Sequence, residues 1–216
     1  MDEGARQYKW LLWAALVVMV LTAGLSPLAP WGSGIPARDS SAFLYVGKVW
    51  AETGQGYVAA WDNKGPALFG LEALAHLVSP RLGLGSWILD LLSYCGMVLI
   101  LGSVLRRMFG DLVAGWSVLL MSATLAVTVQ MGNYTEGFCL PLIAAGIWLS
   151  VREKQNWLHW LASAALILVA GLMRVNNAVG LALICFLGPW LAGNEGRKLR
   201  WEVAGLGVLL LVGFLG

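Results

Sequence analysis

The chain has 216 residues, of which 59% are hydrophobic and only 12% are charged. A soluble domain carries about twice that share of charge, so a water-soluble enzyme and a secreted disulfide module are excluded. A net charge of +2 also excludes a nucleic-acid binder, which gathers its basic residues on one face. Cys95, Cys139 and Cys185 all lie within apolar runs and read as small buried side chains, with no disulfide or metal framework. The chain reads as an integral membrane protein.

Lipid offers no partner to free backbone N–H and C=O groups, so an apolar run that crosses it must be helical. Runs of crossing length lie near 10–29, 85–105, 112–130, 137–151, 157–173, 177–192 and 201–216. They predict an all-α polytopic bundle of about seven spans. The first run is too long for a signal-peptide core and ends at Ala29-Pro30, a poor cleavage site, so it reads as an uncleaved anchor. Trp10, Trp13, Trp31, Trp87, Trp157, Trp160, Trp190 and Trp201 cluster near the run ends, as amphipathic rings do at the membrane–water interface.

Orientation follows from the basic residues. With the N-terminus inside, the inner side holds Arg6, Lys9, Arg106, Arg107, Arg152, Lys154, Arg197, Lys198 and Arg200, which is nine of the 14. Arg38, Lys48, Lys64, Arg81 and Arg174 fall outside. Every inner segment carries at least two, so the positive-inside rule gives N-in. The last run reaches Gly216 with no polar tail. Residues 1–216 are therefore expected to be a single transmembrane domain from the N-terminal portion of a longer chain.

One connection is out of proportion. Between the first two runs, residues 30–85 form a long outer loop, and long loops in compact architectures are usually functional. After turn material at Pro30, Gly32, Gly34 and Pro36, residues Phe43, Val46, Gly47 and Trp50 recur at helical spacing. Ser40, Ser41, Lys48 and Glu52 fall off that stripe, which predicts a short amphipathic helix lying on the membrane surface. Gly54, Gly56 and Trp61-Asp62-Asn63-Lys64-Gly65-Pro66 break it with turn chemistry. A second short helix is predicted over 66–78, starting at a proline and containing Glu72 and His76, which argue against its crossing the bilayer.

Asp39 is the residue of most interest in this loop. An Asp directly before a helix caps its free N–H groups. A carboxylate at the outer interface can also take a proton from an acceptor hydroxyl or amine, and a cap fixes its rotamer for that task. Lys64 sits in a Gly/Pro turn at the same interface, where an ammonium meets lipid headgroups or neutralises a phosphate leaving group. Asp62 either pairs with it or shapes the turn.

Two more polar islands face outward. Glu136 begins a helix, where the dipole favours it without any function. Arg174 lies in Met173-Arg174-Val175-Asn176-Asn177 and reads as a second phosphate clamp or a snorkelling anchor. Asn133-Tyr134-Thr135 matches a glycosylation sequon, a weak pattern this close to a membrane. Asp90 lies about a turn inside the second run, at a depth where an ionisable group is functional by default, or else bonds helix to helix. Nucleotide sugars and ATP are not expected on the outer side, so a transferase there needs a donor held in the membrane.

The stretch Arg38-Asp39-Ser40-Ser41-Ala42-Phe43-Leu44-Tyr45-Val46-Gly47, followed by Gly54, Tyr57 and Trp61-Asp62-Asn63-Lys64-Gly65-Pro66-Ala67-Leu68, resembles the first outer loop of GT-C membrane glycosyltransferases. The likeness is to the group of protein O-mannosyltransferases and lipid A aminoarabinose transferases, which pair an Asp after the first span with a Lys-(Gly/Pro)-Pro turn. Asn133-Tyr134-Thr135-Glu136 resembles that group's second outer loop. The sequence-specific part covers about 39–68 and 132–141, and the topology covers most of the chain. The resemblance implies inverting transfer from a polyprenyl-phosphate sugar to a lipid, glycan or protein acceptor. It implies Asp39 as general base or acceptor-orienting carboxylate, Lys64 on the donor phosphate and Glu136 in support. Arg174 is added on the chemical argument alone. Some members use a divalent metal and others none, so no metal ligand is assigned. The implied setting is the bacterial plasma membrane, with the site facing outward. The rival reading is a transporter or flippase for lipid-linked sugars, which would carry ionisable groups at the bilayer midplane and broken helices in two matching halves.

Overall fold

The structure, a computed structural model, describes residues 3–34, 36, 38–79, 81, 83–128, 132–152 and 156–191. These residues form eight helices: α1 (Glu3–Gly24), α2 (Arg38–Thr53), α3 (Pro66–Val78), α4 (Leu84–Phe109), α5 (Asp111–Thr128), α6 (Thr135–Ser150), α7 (Trp157–Met173) and α8 (Val175–Leu191). No strand occurs among the described residues. The run at 201–216, with Lys154, Arg197, Lys198, Arg200 and Trp201, lies outside them.

Three helices, α1, α4 and α5, are long and apolar enough to cross a membrane. The apolar helices α6 and α7 have 16 and 17 residues. At 1.5 Å per residue they reach about 24–26 Å, against a hydrocarbon core of about 30 Å. Local sequence sets the boundaries. Gly83 and Gly110 flank α4 with φ of 86° and 81°, a left-handed geometry natural to glycine. Asn156 and His159 cap α7 reciprocally, and Pro66 opens α3 as its first residue. α1 ends at Gly24, earlier than the predicted 29, because Leu25–Trp31 coil into successive turns closed by backbone hydrogen bonds. The loop therefore starts sooner than the hydropathy implied.

Two apolar cores organise the bundle. In one, Ala15, Met19 and Ala23 of α1 meet Tyr94, Met97 and Val98 of α4, with Val118 and Ala144; small residues at such seams let helices approach closely. In the other, Phe43 and Val46 of α2 and Leu68 and Phe69 of α3 pack on Phe138, Cys139, Ala170, Met173, Ala178, Leu181 and Cys185. The loop helices α2 and α3 thus share a core with α6, α7 and α8 and are seated on the bundle.

α1 and α4 run antiparallel. At one end, the Trp87 indole of α4 donates to the Ala23 carbonyl at 2.8 Å, and α2, α3, the start of α6 and the end of α7 gather there. At the opposite end, the Arg106 guanidinium lies 5.0 Å from the Tyr8 ring centroid and pairs with Asp111 at 2.5 Å.

Two sequence expectations need correction. Trp160 is 9% exposed, so it packs inside the bundle, whereas Trp10, Trp13, Trp31 and Trp157 are exposed as interfacial rings are. Ser40 is fully buried, because the inner face of α2 runs through 40, 43, 44 and 47; the hydroxyl was placed off the stripe only because it is polar.

Candidate functional site

The second outer-loop helix begins where predicted, and the turn before it is docked on α7. The N–H of Gly65 donates to the carbonyl of Met173 at 3.1 Å, laying the Trp61–Pro66 turn on the C-terminal end of α7. A Cβ on Gly65 would collide with the Leu172 carbonyl, so only glycine permits this approach. Within the turn, Asp62 Oδ1 accepts from the Lys64 N–H at 3.2 Å. Asp62 therefore shapes the turn, and its carboxylate is not the ion-pair partner of Lys64. The Tyr57 hydroxyl donates to the Lys64 carbonyl at 2.5 Å. Burial pushes that hydroxyl up to about 12, which keeps it a donor.

Under the turn lies an aromatic floor. Phe43 and Phe69 meet edge to face at 6.3 Å and Tyr57 meets Phe69 at 5.5 Å. The Lys64 ammonium sits 5.7 Å from the Phe43 ring centroid and donates to the Asn63 side chain at 2.7 Å. A cation over a ring gains quadrupole attraction while it stays accessible. Asp39 is exposed and lies four residues before Phe43, one turn along the same helix. The helix starts at Arg38, so Asp39 sits inside the first turn; it serves the dipole from there, and the expected N-cap position shifts by one or two residues.

Arg174, the residue after α7, pairs through its guanidinium with the Glu136 carboxylate in the first turn of α6. Glu136 also accepts from the Thr135 hydroxyl at 2.9 Å. The pair is 39% and 50% exposed, so it is solvated and adaptable. Lys64 lies over Phe43 of the helix that carries Asp39, Asp62 holds the Lys64 turn, that turn docks on Met173, the neighbour of Arg174, and Arg174 pairs with Glu136. Two cations (Lys64, Arg174) and three carboxylates (Asp39, Asp62, Glu136) thus lie on the loop helices and helix ends gathered at one end of the bundle. Among the described residues no cluster of three or more His, Cys, Asp or Glu side chains could hold a metal ion.

The structure also holds a buried polar cluster that joins Asp90, singled out by its depth in the second run, to Glu72, to which the sequence assigns no role. Glu72 is 2% exposed and accepts from the Ser86 hydroxyl of α4. Burial pushes its carboxyl up to about 7, and the Ser86 hydroxyl and the Asn133 side chain pull in the opposite direction. Asp90, 1% exposed, accepts from the Asn133 N–H at 2.8 Å. Asn133 adopts φ of 59°, a left-handed turn that asparagine tolerates. It is fully buried, so the sequon at this position is inaccessible in the fold. A signal for Glu72 did exist: it falls with Leu68, Phe69 and Ala75 on the buried stripe of α3, where a carboxylate is uncommon unless it is paired.

No family model, curated protein or solved structure matches the chain.

Proposed function

We propose that this chain is the donor-binding membrane domain of a glycosyltransferase that moves a sugar from a polyprenyl-phosphate donor to an acceptor, with inversion. The observation that carries the reading is the Gly65–Met173 hydrogen bond, which seats the Lys64 turn beside Arg174 and next to the helix that bears Asp39. In this reading an acceptor O–H or N–H attacks the anomeric carbon and gives its proton to the Asp39 carboxylate. The bond from that carbon to the phosphate oxygen breaks, and its electron pair leaves on the polyprenyl phosphate. Lys64 and Arg174 neutralise the charge that builds there. Asp62 holds the turn and Glu136 orients Arg174. The chain spans the membrane about seven times with its N-terminus inside, in a bacterial plasma membrane, and the site faces outward.

The test is transfer from a polyprenyl-phosphate sugar in membranes that contain the protein. Asp39→Asn abolishes transfer and leaves expression and insertion near wild type. Transfer at the normal rate in that variant sinks the catalytic assignment. Lys64→Ala weakens donor binding; unchanged donor affinity removes its role. The buried Asp90 in α4 is the observation that favours the other reading, a flippase for lipid-linked sugars. A flippase would move the donor intact across a vesicle membrane and release no free polyprenyl phosphate.

A further inference from the structure

The geometry points to a buried proton-binding site at Glu72 and Asp90, reached from the surface through His76. It stands apart from the transferase reading, because neither carboxyl belongs to the Asp39–Lys64 end of the loop. Both are almost wholly shielded, at 2% and 1% exposure. Among the described residues Glu72 Oε1 and Asp90 Oδ1 have no hydrogen-bond partner, nor have the Tyr94 hydroxyl and the Asn133 amide atoms. Among the described residues no Lys or Arg pairs with either carboxyl. A buried carboxylate with one oxygen unsatisfied is costly, and the ordinary remedy is to take up a proton.

The route is what distinguishes this pair from a merely misplaced charge. His76 stands one helical turn after Glu72 on α3. Its Nε2 lies 3.6 Å from Glu52 Oε1, and Glu52 is half exposed. Its Nδ1 is buried and has no partner among the described residues. His76, Glu72 and Ser86 line one cavity of about 10 Å³ between α3 and the start of α4, room for about one water-sized molecule. An imidazole can accept a proton on one nitrogen and release one from the other. Here one nitrogen faces a surface carboxylate and the other faces inward.

The neighbours on every side are accounted for. From α2 come Glu52, which pairs with Lys48 at 3.8 Å, and the uncharged backbone of Gly47 against Glu72. α4 supplies Ser86, Asp90 and Tyr94, the segment between α5 and α6 supplies Asn133, and Glu136 and Tyr134 act on Tyr94. α7 contains no Asp, Glu, Lys or Arg. One proton passes from solvent to His76 Nε2, another leaves Nδ1 and binds one carboxylate oxygen, and the remaining negative charge is spread over the pair. The Ser86 hydroxyl and the Asn133 N–H hold that charge.

Infrared spectroscopy of the full chain in lipid vesicles, with isotope-labelled glutamate or aspartate, tests the site. A carboxylic-acid band is expected to persist at neutral pH, where surface carboxylates are ionised, and to vanish in the double variant Glu72→Gln, Asp90→Asn. No such band in the wild-type protein overturns the proposal without any variant having to fold. Transfer into heavy water shifts the band quickly in wild type and several-fold more slowly in His76→Phe; an unchanged rate overturns the route. Loss of the band at constant pH on adding sodium, potassium or calcium overturns it too, since a metal ion would then occupy the carboxyls.

Discussion

The backbone N–H of Gly65 is bonded to the carbonyl of Met173, 3.1 Å away, and this one contact joins the long loop to the end of α7. The bond satisfies a carbonyl at a helix end, where such groups otherwise lack partners. It also sets the position of Lys64 relative to Arg174, and neither charge touches the other in achieving it.

Gly65→Ala tests that joint. The residue has φ of −77°, so alanine is conformationally acceptable and only the Leu172 carbonyl stands in its way. Overpacking of this kind costs about 1–3 kcal/mol. A lowered thermal midpoint together with weaker donor binding is expected; an unchanged donor affinity would show that the joint does not position the Lys64 turn.

The exposed Arg174–Glu136 pair contributes under about 1 kcal/mol to stability. Arg174→Ala is therefore expected to leave the thermal midpoint almost unchanged while donor affinity falls about tenfold or more, the loss of one charge-assisted phosphate contact. Thermal unfolding and donor titration on the same preparation separate the two effects.

Tyr57→Phe removes one hydroxyl and keeps the ring against Phe69 and Trp50. The lost bond to the Lys64 carbonyl costs about 1 kcal/mol. Because burial raises the hydroxyl to about 12, the difference between wild type and variant should stay constant from acid to mildly alkaline pH in unfolding measurements.

Glu72 gives the opposite behaviour. Its carboxyl rises from an ordinary 4.5 to about 7 on folding, so between those values the folded protein keeps a proton that the unfolded chain has released. Stability is then greatest at the acid end and falls as pH rises through the window, by about 3 kcal/mol in all. Glu72→Gln should flatten the slope; thermal midpoints that rise across this window would contradict the assignment.

Much of this architecture was legible because lipid-compatible helices announce themselves over many residues. The runs at 85–105 and 157–173 reappear as α4 and α7, and Pro66–Val78 appears as a helix with the predicted limits. Local chemistry also showed that Lys64 lies in a turn and that Glu136 opens a helix. What stayed hidden depends on pairs far apart in the chain. Arg174 and Glu136 are 38 residues apart, Asn133 and Asp90 are 43 apart, and no periodicity reports which helix ends will meet. Ser40 misled for a different reason: burial of its hydroxyl follows from the close packing of α2, which polarity alone cannot reveal.

That close packing has a mechanical side. At Gly47 the backbone of α2 lies directly on the Cβ and carbonyl carbon of Glu72 in α3, with no space for even a methyl group. Two rods pressed together at such a point have no slack for sliding. Asp39 stands eight residues from the crossing, about 12 Å along α2, and the Lys64 turn leads straight into α3. Asp39 and the Lys64 turn are therefore carried on one closely packed helix pair, and if the proposed transferase reading holds, admitting a bulky lipid-linked sugar requires that pair to tilt as a unit.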